Sequence, residues 1–272
     1  MKKTSIVTLL LSAVVILTSA CSYKTNKQKI TTIETERVIK FNDQENSPAA
    51  TVQIIYEYIT DATPNSTEDV VNQENILYAF GAQEDGLTPE EIIDNYIANY
   101  EKEYRSNLQY FADKGEELGP IFNYELLLFF KHFNSSKNSV AFVKDMYIYM
   151  GGVHGAQNII YHTYDLNTGK EMRARDIFLE GSQQELRNII YEGFKAEYFP
   201  GRNQTSQDGG FFNLEENMTL DNTYVFTDKG LLFQYQAYAI APYSFGMPSV
   251  VIPYAKLKNV LNKENAVVKD YI

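Results

Sequence analysis

Cysteine, histidine and tryptophan are scarce in this sequence, and their scarcity narrows the chemistry open to it. The 272 residues include one cysteine, three histidines and no tryptophan. A single cysteine cannot form a disulfide within the chain. The hydrolase pattern G-x-S-x-G, the metalloprotease pattern H-E-x-x-H, a glycine-rich phosphate loop and C-x-x-C are also absent. We therefore expect a binding protein without catalytic residues, metal or cofactor rather than a recognisable enzyme.

The first 20 residues have the layout of a secretory signal peptide. A positive start, an apolar stretch (Ile6–Leu17) and small residues precede Cys21. The apolar stretch is too short to span a membrane comfortably, because a spanning helix needs about 20 apolar residues. The string Leu17–Cys21 resembles a bacterial lipobox, although Thr18 stands where a large aliphatic residue is usual. We expect Cys21 to be lipidated and to anchor the protein in the cell envelope, facing the periplasm or at the outer membrane. Ordinary cleavage nearby, leaving a free thiol, is the alternative.

Positive charge is in shorter supply than negative charge. The chain has 24 Lys and Arg against 35 Asp and Glu, a formal charge of −11, which becomes −13 without the two lysines of the signal peptide. This charge disfavours nucleic acid and anionic headgroups as partners, and it favours cationic proteins or metal ions. Solubility alone explains it equally well. Tyrosine is abundant, with 21 residues, and suits both strands and binding surfaces.

Hydrophobic patterning predicts an α+β fold made mostly of antiparallel sheets, with two main helices and a short C-terminal helix. The first main helix starts at a capping box of Thr88 and Glu91 and runs to about Asp113. The second follows Ser182 and ends before Pro200. Strands are predicted for residues 50–59, 121–133, 139–150, 157–165, 223–226, 231–239 and 250–253, and the short helix for 254–261.

The chain divides into four predicted segments. Residues 1–20 form the signal peptide, and residues 21–47 form a polar tether whose last part, with a weak strand pattern, could enter the fold. Residues 48–155 and 156–272 form an N-terminal and a C-terminal α+β subdomain. No linker or change of composition separates these two, so we expect them to share one cooperative core.

One glycine-rich string is the most unusual local feature. It contains Gly151, Gly152 and Gly155, with Val153 and His154 between them. Three glycines in five residues imply positive φ angles or a close backbone approach. We interpret the string as a tight connection before a strand, and a functional loop is the alternative.

His154 could bind zinc together with His162 and Asp165 only if this turn folds back on the strand. Eight residues of strand separate the two histidines by about 26 Å. We therefore expect no metal site. Instead, His154 is expected to hold the turn through hydrogen bonds, and His162 to lie on a face of the sheet.

Several strings, taken in order, resemble a known family. They are residues Gly151–Gly155, Tyr164–Lys170, Asp176–Phe178, Thr227–Phe233, Ala239–Tyr243 with Gly246, and Val251–Tyr254 with Leu257. As a set they resemble the paired extracellular domains of RsiV-type anti-sigma factors, which also precede the catalytic domain of PdaC-type peptidoglycan deacetylases. The resemblance spans roughly residues 49–261.

This resemblance implies an α+β fold and work at the cell wall, where the RsiV-type region is similar to a lysozyme receptor. The sequence departs from the pattern in two ways. No sigma-binding segment or spanning helix precedes the domain, and the T-F-D-D and H-x-x-x-H type motifs of the deacetylases are missing. What the resemblance implies is a lipid-anchored, non-catalytic binding module for a lysozyme-like wall hydrolase or for peptidoglycan. The alternatives are an uncharacterised enzyme that acts on cell-wall sugars through His154 and carboxylates, and a structural subunit of an envelope complex.

Overall fold

Five strands form the larger sheet of the protein. The computed structural model describes residues 28–81, 86–198 and 220–272. In spatial order the strands are β1 (Ile30–Lys40), β2 (Ala49–Ile59), β3 (Tyr124–Ser135), β4 (Ser139–Tyr149) and β5 (Ala156–Asp165). β2 and β3 run parallel, and the other neighbours in this sheet are antiparallel.

The parallel pair follows from two helices that connect β2 to β3. These helices, α1 (Thr67–Phe80) and α2 (Pro89–Asp113), return the chain to the end of the sheet where β2 began, as parallel strands require. At the start of α2, the Thr88 hydroxyl accepts from the Glu91 N–H at 3.3 Å, and the Glu91 carboxylate accepts from the Thr88 N–H at 2.8 Å. The predicted capping box and the end of this helix at Asp113 are confirmed.

One face of the sheet packs against these helices. Alternate residues of β3, such as Leu126, Leu128 and Phe130, are buried, because successive side chains of a strand point to opposite faces. They share an apolar core with buried residues of α2, including Ile93 and Leu108. The helices therefore cover one face of the sheet.

Two elements of this unit go beyond the sequence prediction, which gave the end of the tether only a weak strand pattern and placed no helix before Thr88. β1 lies within residues 21–47, the predicted tether, and pairs with β2 along its full length. Its hydrophobic pattern is faint because Ile39 is its one buried residue, so the fold begins near Ile30. α1 is a third substantial helix, and it buries few apolar residues besides Val71, Ala79 and Phe80.

A three-stranded antiparallel sheet supports the second unit. Its strands are β6 (Tyr224–Phe226), β7 (Leu231–Gln234) and β8 (Ser249–Ile252). The short helix α3 (Ala174–Ile177) precedes α4 (Gln183–Tyr198), which packs on this sheet, and α5 (Tyr254–Leu257) and α6 (Ala266–Lys269) follow. The predicted α+β fold with mostly antiparallel sheets is confirmed, although the helix expected over 254–261 is shorter and a further one follows it.

The two units meet along β4 and β5. β5 pairs with β4 in the larger sheet, and the elements of the second unit follow Asp165. The subdomain boundary at residue 155 stays a prediction. A small cluster of Ala141, Tyr161 and Val225 joins the units. In addition, the Gln236 amide accepts from the Ile159 N–H at 3.1 Å and donates to the Ile159 carbonyl. That the two units unfold as one cooperative core stays a prediction.

Several sequence predictions fall outside the described ranges. The signal peptide, Cys21 and residues 22–27 of the tether lie there. Within the ranges that the structure does describe, no helix combines the length and the apolar character that a membrane crossing requires.

Candidate functional site

The glycine-rich turn connects β4 to β5 at the end of the sheet where β2 and β3 begin. The φ angles of Gly151 and Gly152 are 87° and 97°, so the positive φ expected from the sequence is present. A Cβ atom at Gly151 would lie 3.0 Å from the Ile121 carbonyl oxygen. One at Gly155 would lie 2.3 Å from the Tyr147 ring. Glycine is therefore required at 151 by backbone conformation and at 155 by a close contact.

Three aromatic rings are stacked beside this turn. The His154 and Tyr243 rings lie 4.7 Å apart and 22° from parallel. The Tyr238 ring is stacked on Tyr243 in turn, with the two ring centres 5.4 Å apart. His154 Nδ1 donates to the Gly155 carbonyl at 3.0 Å, which fixes the orientation of the imidazole. His154 comes from the first unit and both tyrosines from the second. We call His154, Tyr238 and Tyr243 the ring stack.

The ring stack is open to solvent and has apolar neighbours in the turn. Tyr238 is 57% exposed and Tyr243 46%, while Val153 in the turn is 99% exposed. Met150, which immediately precedes the turn, is also exposed. Exposed large apolar and aromatic side chains gathered at one place are typical of a contact surface.

Tyr238 has a strained backbone. Its φ angle is 67°, in the left-handed region that bulky side chains rarely adopt. Such a conformation costs about 1–3 kcal/mol and persists where the surroundings impose it, often at functional sites. In this backbone conformation the exposed Tyr238 ring lies against Tyr243.

His162, the histidine of β5, lies in a buried polar cluster. His162 Nδ1 donates to Glu171 Oε1 at 2.7 Å, and the His162 ring stacks on the Tyr78 ring at 4.1 Å. Glu171 also accepts from the Tyr78 hydroxyl at 2.9 Å and from Asn222 Nδ2 at 2.8 Å, and it forms an ion pair with Arg173 at 2.5 Å. We call these five residues the Glu171 cluster.

Electrostatics favour an ionised Glu171. Burial alone would raise the pKa of this carboxyl, but the hydrogen bonds from His162 and Tyr78 and the charge of Arg173 lower it below its ordinary value of 4.5. The cluster links α1, β5 and the start of the second unit. Because Glu171 is 7% exposed, the cluster is suited to holding the units together and poorly suited to meeting a ligand.

The predicted site residues are thus separated into two places. Gly151, Gly152, His154 and Gly155 lie together at the ring stack, whereas His162 is buried in the Glu171 cluster. Asp165 closes the turn after β5, where it accepts from the Asn167 N–H at 2.8 Å. Within the described ranges, no group of three His, Cys, Asp or Glu side chains is placed to hold a metal ion.

The sequence did not reveal the partners of His154 and His162. Tyr243 lies in one of the strings that carry the family resemblance, but its string alone does not show that it meets His154, which is 89 positions away. Tyr78 lies on α1, a helix that the pattern did not predict. Glu171 and Arg173 stand in a polar stretch after β5, where no periodicity marks a buried charge.

Comparison with known proteins agrees with this two-unit α+β architecture. Residues 175–255, which lie within the second unit, match the family DUF3298, described as a protein of unknown function. No curated protein matches the chain.

Two solved structures share the fold. A DUF3298 family member from Bacteroides fragilis is 22% identical, with a TM-score of 0.79, over 90% of this chain and 97% of its own. A DUF3298 family protein from Pseudomonas aeruginosa is 18% identical, with a TM-score of 0.58, over 87% and 95%. At these identities the likeness establishes the fold.

Proposed function

We propose that this chain is a non-catalytic binding module of the bacterial cell envelope, and that its ring stack contacts a basic wall protein of the lysozyme type. The observation that carries the proposal is the exposure of Tyr238 and Tyr243 beside His154, which brings aromatic rings from both units into one surface. Exposed tyrosines of this kind dominate many protein interfaces, since each offers a large ring and a polar tip.

The setting of His154 supports binding over catalysis. Its Nδ1 is engaged by the Gly155 carbonyl, and its ring stacks on Tyr243. A general base needs an orienting partner and a nearby nucleophile or substrate proton. Among the described residues, no carboxylate hydrogen-bonds to His154, so the ring is placed as part of a surface.

The topology suits an anchored receptor. β1 begins at Ile30, and the glycine-rich turn lies at the opposite end of the sheet, the end at which β1 finishes at Lys40. Eleven residues of strand make this separation roughly 35 Å. If Cys21 carries lipid, the short tether enters at the Ile30 end, and the ring stack points away from the membrane.

Charge and resemblance support a basic partner. The chain without its signal peptide has a formal charge of −13, which steers positively charged proteins toward it. The strings that resemble RsiV-type proteins include Ala239–Tyr243 and Gly151–Gly155, and these are the segments that meet at the ring stack. The DUF3298 match over 175–255 is consistent with that resemblance.

The test measures binding of the mature protein, beginning at Cys21, to a basic lysozyme and to isolated peptidoglycan. We expect Tyr238→Ala and Tyr243→Ala each to weaken lysozyme binding by about tenfold or more, the usual scale for a central interface tyrosine. Tyr110→Ala is the matched control, because Tyr110 is 55% exposed on α2 and belongs neither to the ring stack nor to the turn. It should leave the dissociation constant unchanged.

Each other outcome has a definite meaning. If the protein binds peptidoglycan and not lysozyme, and both tyrosine variants lose that binding, the ring stack is a binding site for a wall polymer. Binding to neither would overturn the proposal. Turnover of wall fragments that a folded His154→Ala variant abolishes would replace it with the enzymatic alternative.

A further inference from the structure

The five-stranded sheet has a second face, which α1 and α2 do not cover. Strand register places Glu36, Gln53, Leu127 and Tyr147 in one row across β1 to β4. Since Leu126 belongs to the core under the helices, its neighbour Leu127 points to the other side of the sheet. We call this side, across β1 to β4, the outer face.

The centre of the outer face is apolar and unpartnered. Ile55, Leu127 and Phe129 are adjacent or nearly so in the register, half-buried, and members of none of the three apolar clusters of the described residues. Val38, on the same face of β1, is 62% exposed. A solvated sheet face is ordinarily polar, so this centre resembles the middle of an interface.

Carboxylates surround that apolar centre. The outer face carries Glu34, Glu36, Glu57, Glu125 and Asp145 against two lysines, Lys40 and Lys131. The Lys131 ammonium lies over the Phe129 ring, 5.1 Å from its centroid, and its charge acts on Asp145. The β1 edge, with Glu34 and Glu36 both exposed, therefore keeps an unneutralised negative charge.

The outer face continues into the ring stack. Tyr147 lies at the border, close against Gly155, and the Tyr149 hydroxyl donates to the Gly152 carbonyl at 3.1 Å. Four strands about 4.8 Å apart, over the seven residue pairs that β2 and β3 share, give an area of roughly 300 Å². A standard interface buries about 800 Å² on each partner. The outer face alone is too small for a stable complex, but the two surfaces together approach that size.

We infer that the outer face is the second half of the docking surface and that it receives a lysine- and arginine-rich protein surface, while the ring stack forms its border. This inference rests on the proposed function and specifies how the same partner is seated. The apolar centre contacts the partner's apolar atoms, and the carboxylates pair with its cations. A second copy of this chain is disfavoured, since two acidic faces repel each other.

The test compares two double charge reversals that change the net charge equally. Glu34→Lys/Glu36→Lys alters the outer face. Glu74→Lys/Glu103→Lys alters exposed acids on α1 and α2, on the opposite side of the sheet. At about 0.15 M salt, where long-range steering is screened, we expect the first pair to weaken lysozyme binding by about tenfold and the second by less than about twofold. Carbodiimide cross-linking to lysozyme and to octalysine, mapped by mass spectrometry, should label Glu34, Glu36 and Glu125 ahead of Glu74 and Glu103.

The outcomes separate this inference from the proposed function. Equal losses in both double variants, or cross-links spread evenly over the helices, would overturn the inference. If Tyr243→Ala weakens binding and the outer-face variant does not, the ring stack is the whole site and the proposed function stands. If lysozyme does not bind but octalysine cross-links map to the outer face, the basic docking surface is retained and the lysozyme-type partner is rejected. An absence of any outer-face cross-link to either probe rejects the docking surface.

Discussion

Two histidine–tyrosine stacks lie where the units meet, and they differ in almost every other respect. His162 stacks on Tyr78 at 4.1 Å, and His154 stacks on Tyr243 at 4.7 Å. The first pair is enclosed by charge partners, since His162 is 2% exposed and hydrogen-bonded to Glu171. The second pair is open, with Tyr243 46% exposed. The same kind of ring contact thus occurs in two different environments, one buried and one exposed.

The difference shows how burial decides the role of a polar ring. A buried carboxylate is stable only when charge and hydrogen bonds compensate for lost water, and Glu171 has four such partners. The Glu171 carboxylate is thereby fully engaged, whereas the buried Nε2 of His162 has no hydrogen-bond partner among the described residues. The ring stack has solvent-exposed apolar surface and a residue with a strained backbone, and both features favour the binding of a partner. The following variants separate the two roles, beginning with the largest expected effect.

Glu171→Gln should cause the largest loss of stability. It removes the charge that compensates Arg173 and the acceptor that holds His162. Because Glu171 is 7% exposed and Arg173 36%, leaving their polar groups unpaired should cost up to about 3 kcal/mol. The free energy of unfolding from chemical denaturation measures it. Glu264→Gln is the control, because that carboxylate is 91% exposed and should contribute less than about 0.5 kcal/mol. A stable Glu171→Gln protein would show that the cluster does not join the units.

The same comparison should depend on pH. Because the folded protein lowers the pKa of Glu171 below 4.5, the carboxylate contributes its full stability above that value. The contribution is lost as pH falls from 4.5 through the lower folded pKa. The difference in unfolding free energy between wild type and Glu171→Gln should therefore be constant near neutral pH and shrink in acid. A difference that grows as pH falls would contradict the lowered pKa.

Much of the fold was readable from local sequence, because its signals are local. The capping box at Thr88 and the alternation along β2 act within a few residues. β1 was only weakly indicated, because it is stabilised by pairing with β2 and buries little surface of its own. The candidate site could be predicted from the sequence only in part. Glycine spacing marked Gly151–Gly155, but the contact of His154 with Tyr243 depends on how two units pack.

Gly151→Ala should have an intermediate effect on stability. An alanine at a φ of 87° is strained and approaches the Ile121 carbonyl oxygen, and left-handed backbone costs a non-glycine residue about 1–2 kcal/mol. Thermal unfolding measures the loss. Gly119→Ala is the matched control, since Gly119 has no positive φ and open space around it. Equal melting temperatures in the two variants would mean that the turn relaxes freely. If binding also falls in Gly151→Ala, the turn positions the ring stack.

Tyr238→Gly should have the smallest effect on stability, and of the opposite sign. Glycine adopts a φ of 67° without the steric cost that tyrosine bears there. Relief of about 1–2 kcal/mol of left-handed strain exceeds the about 0.4–1 kcal/mol by which glycine favours the unfolded chain, so the variant should gain up to about 1 kcal/mol of stability. If the ring is kept for binding, the same variant should bind the partner more weakly, because strained functional residues exchange stability for activity. Tyr238→Phe is the control that keeps both the ring and the strain, and it should match wild type in stability and bind far better than the glycine variant. A glycine variant that is more stable and binds equally well would remove Tyr238 from the site. One that is less stable would mean that stacking on Tyr243 outweighs the backbone strain, and that this ring belongs to the architecture as His162 does.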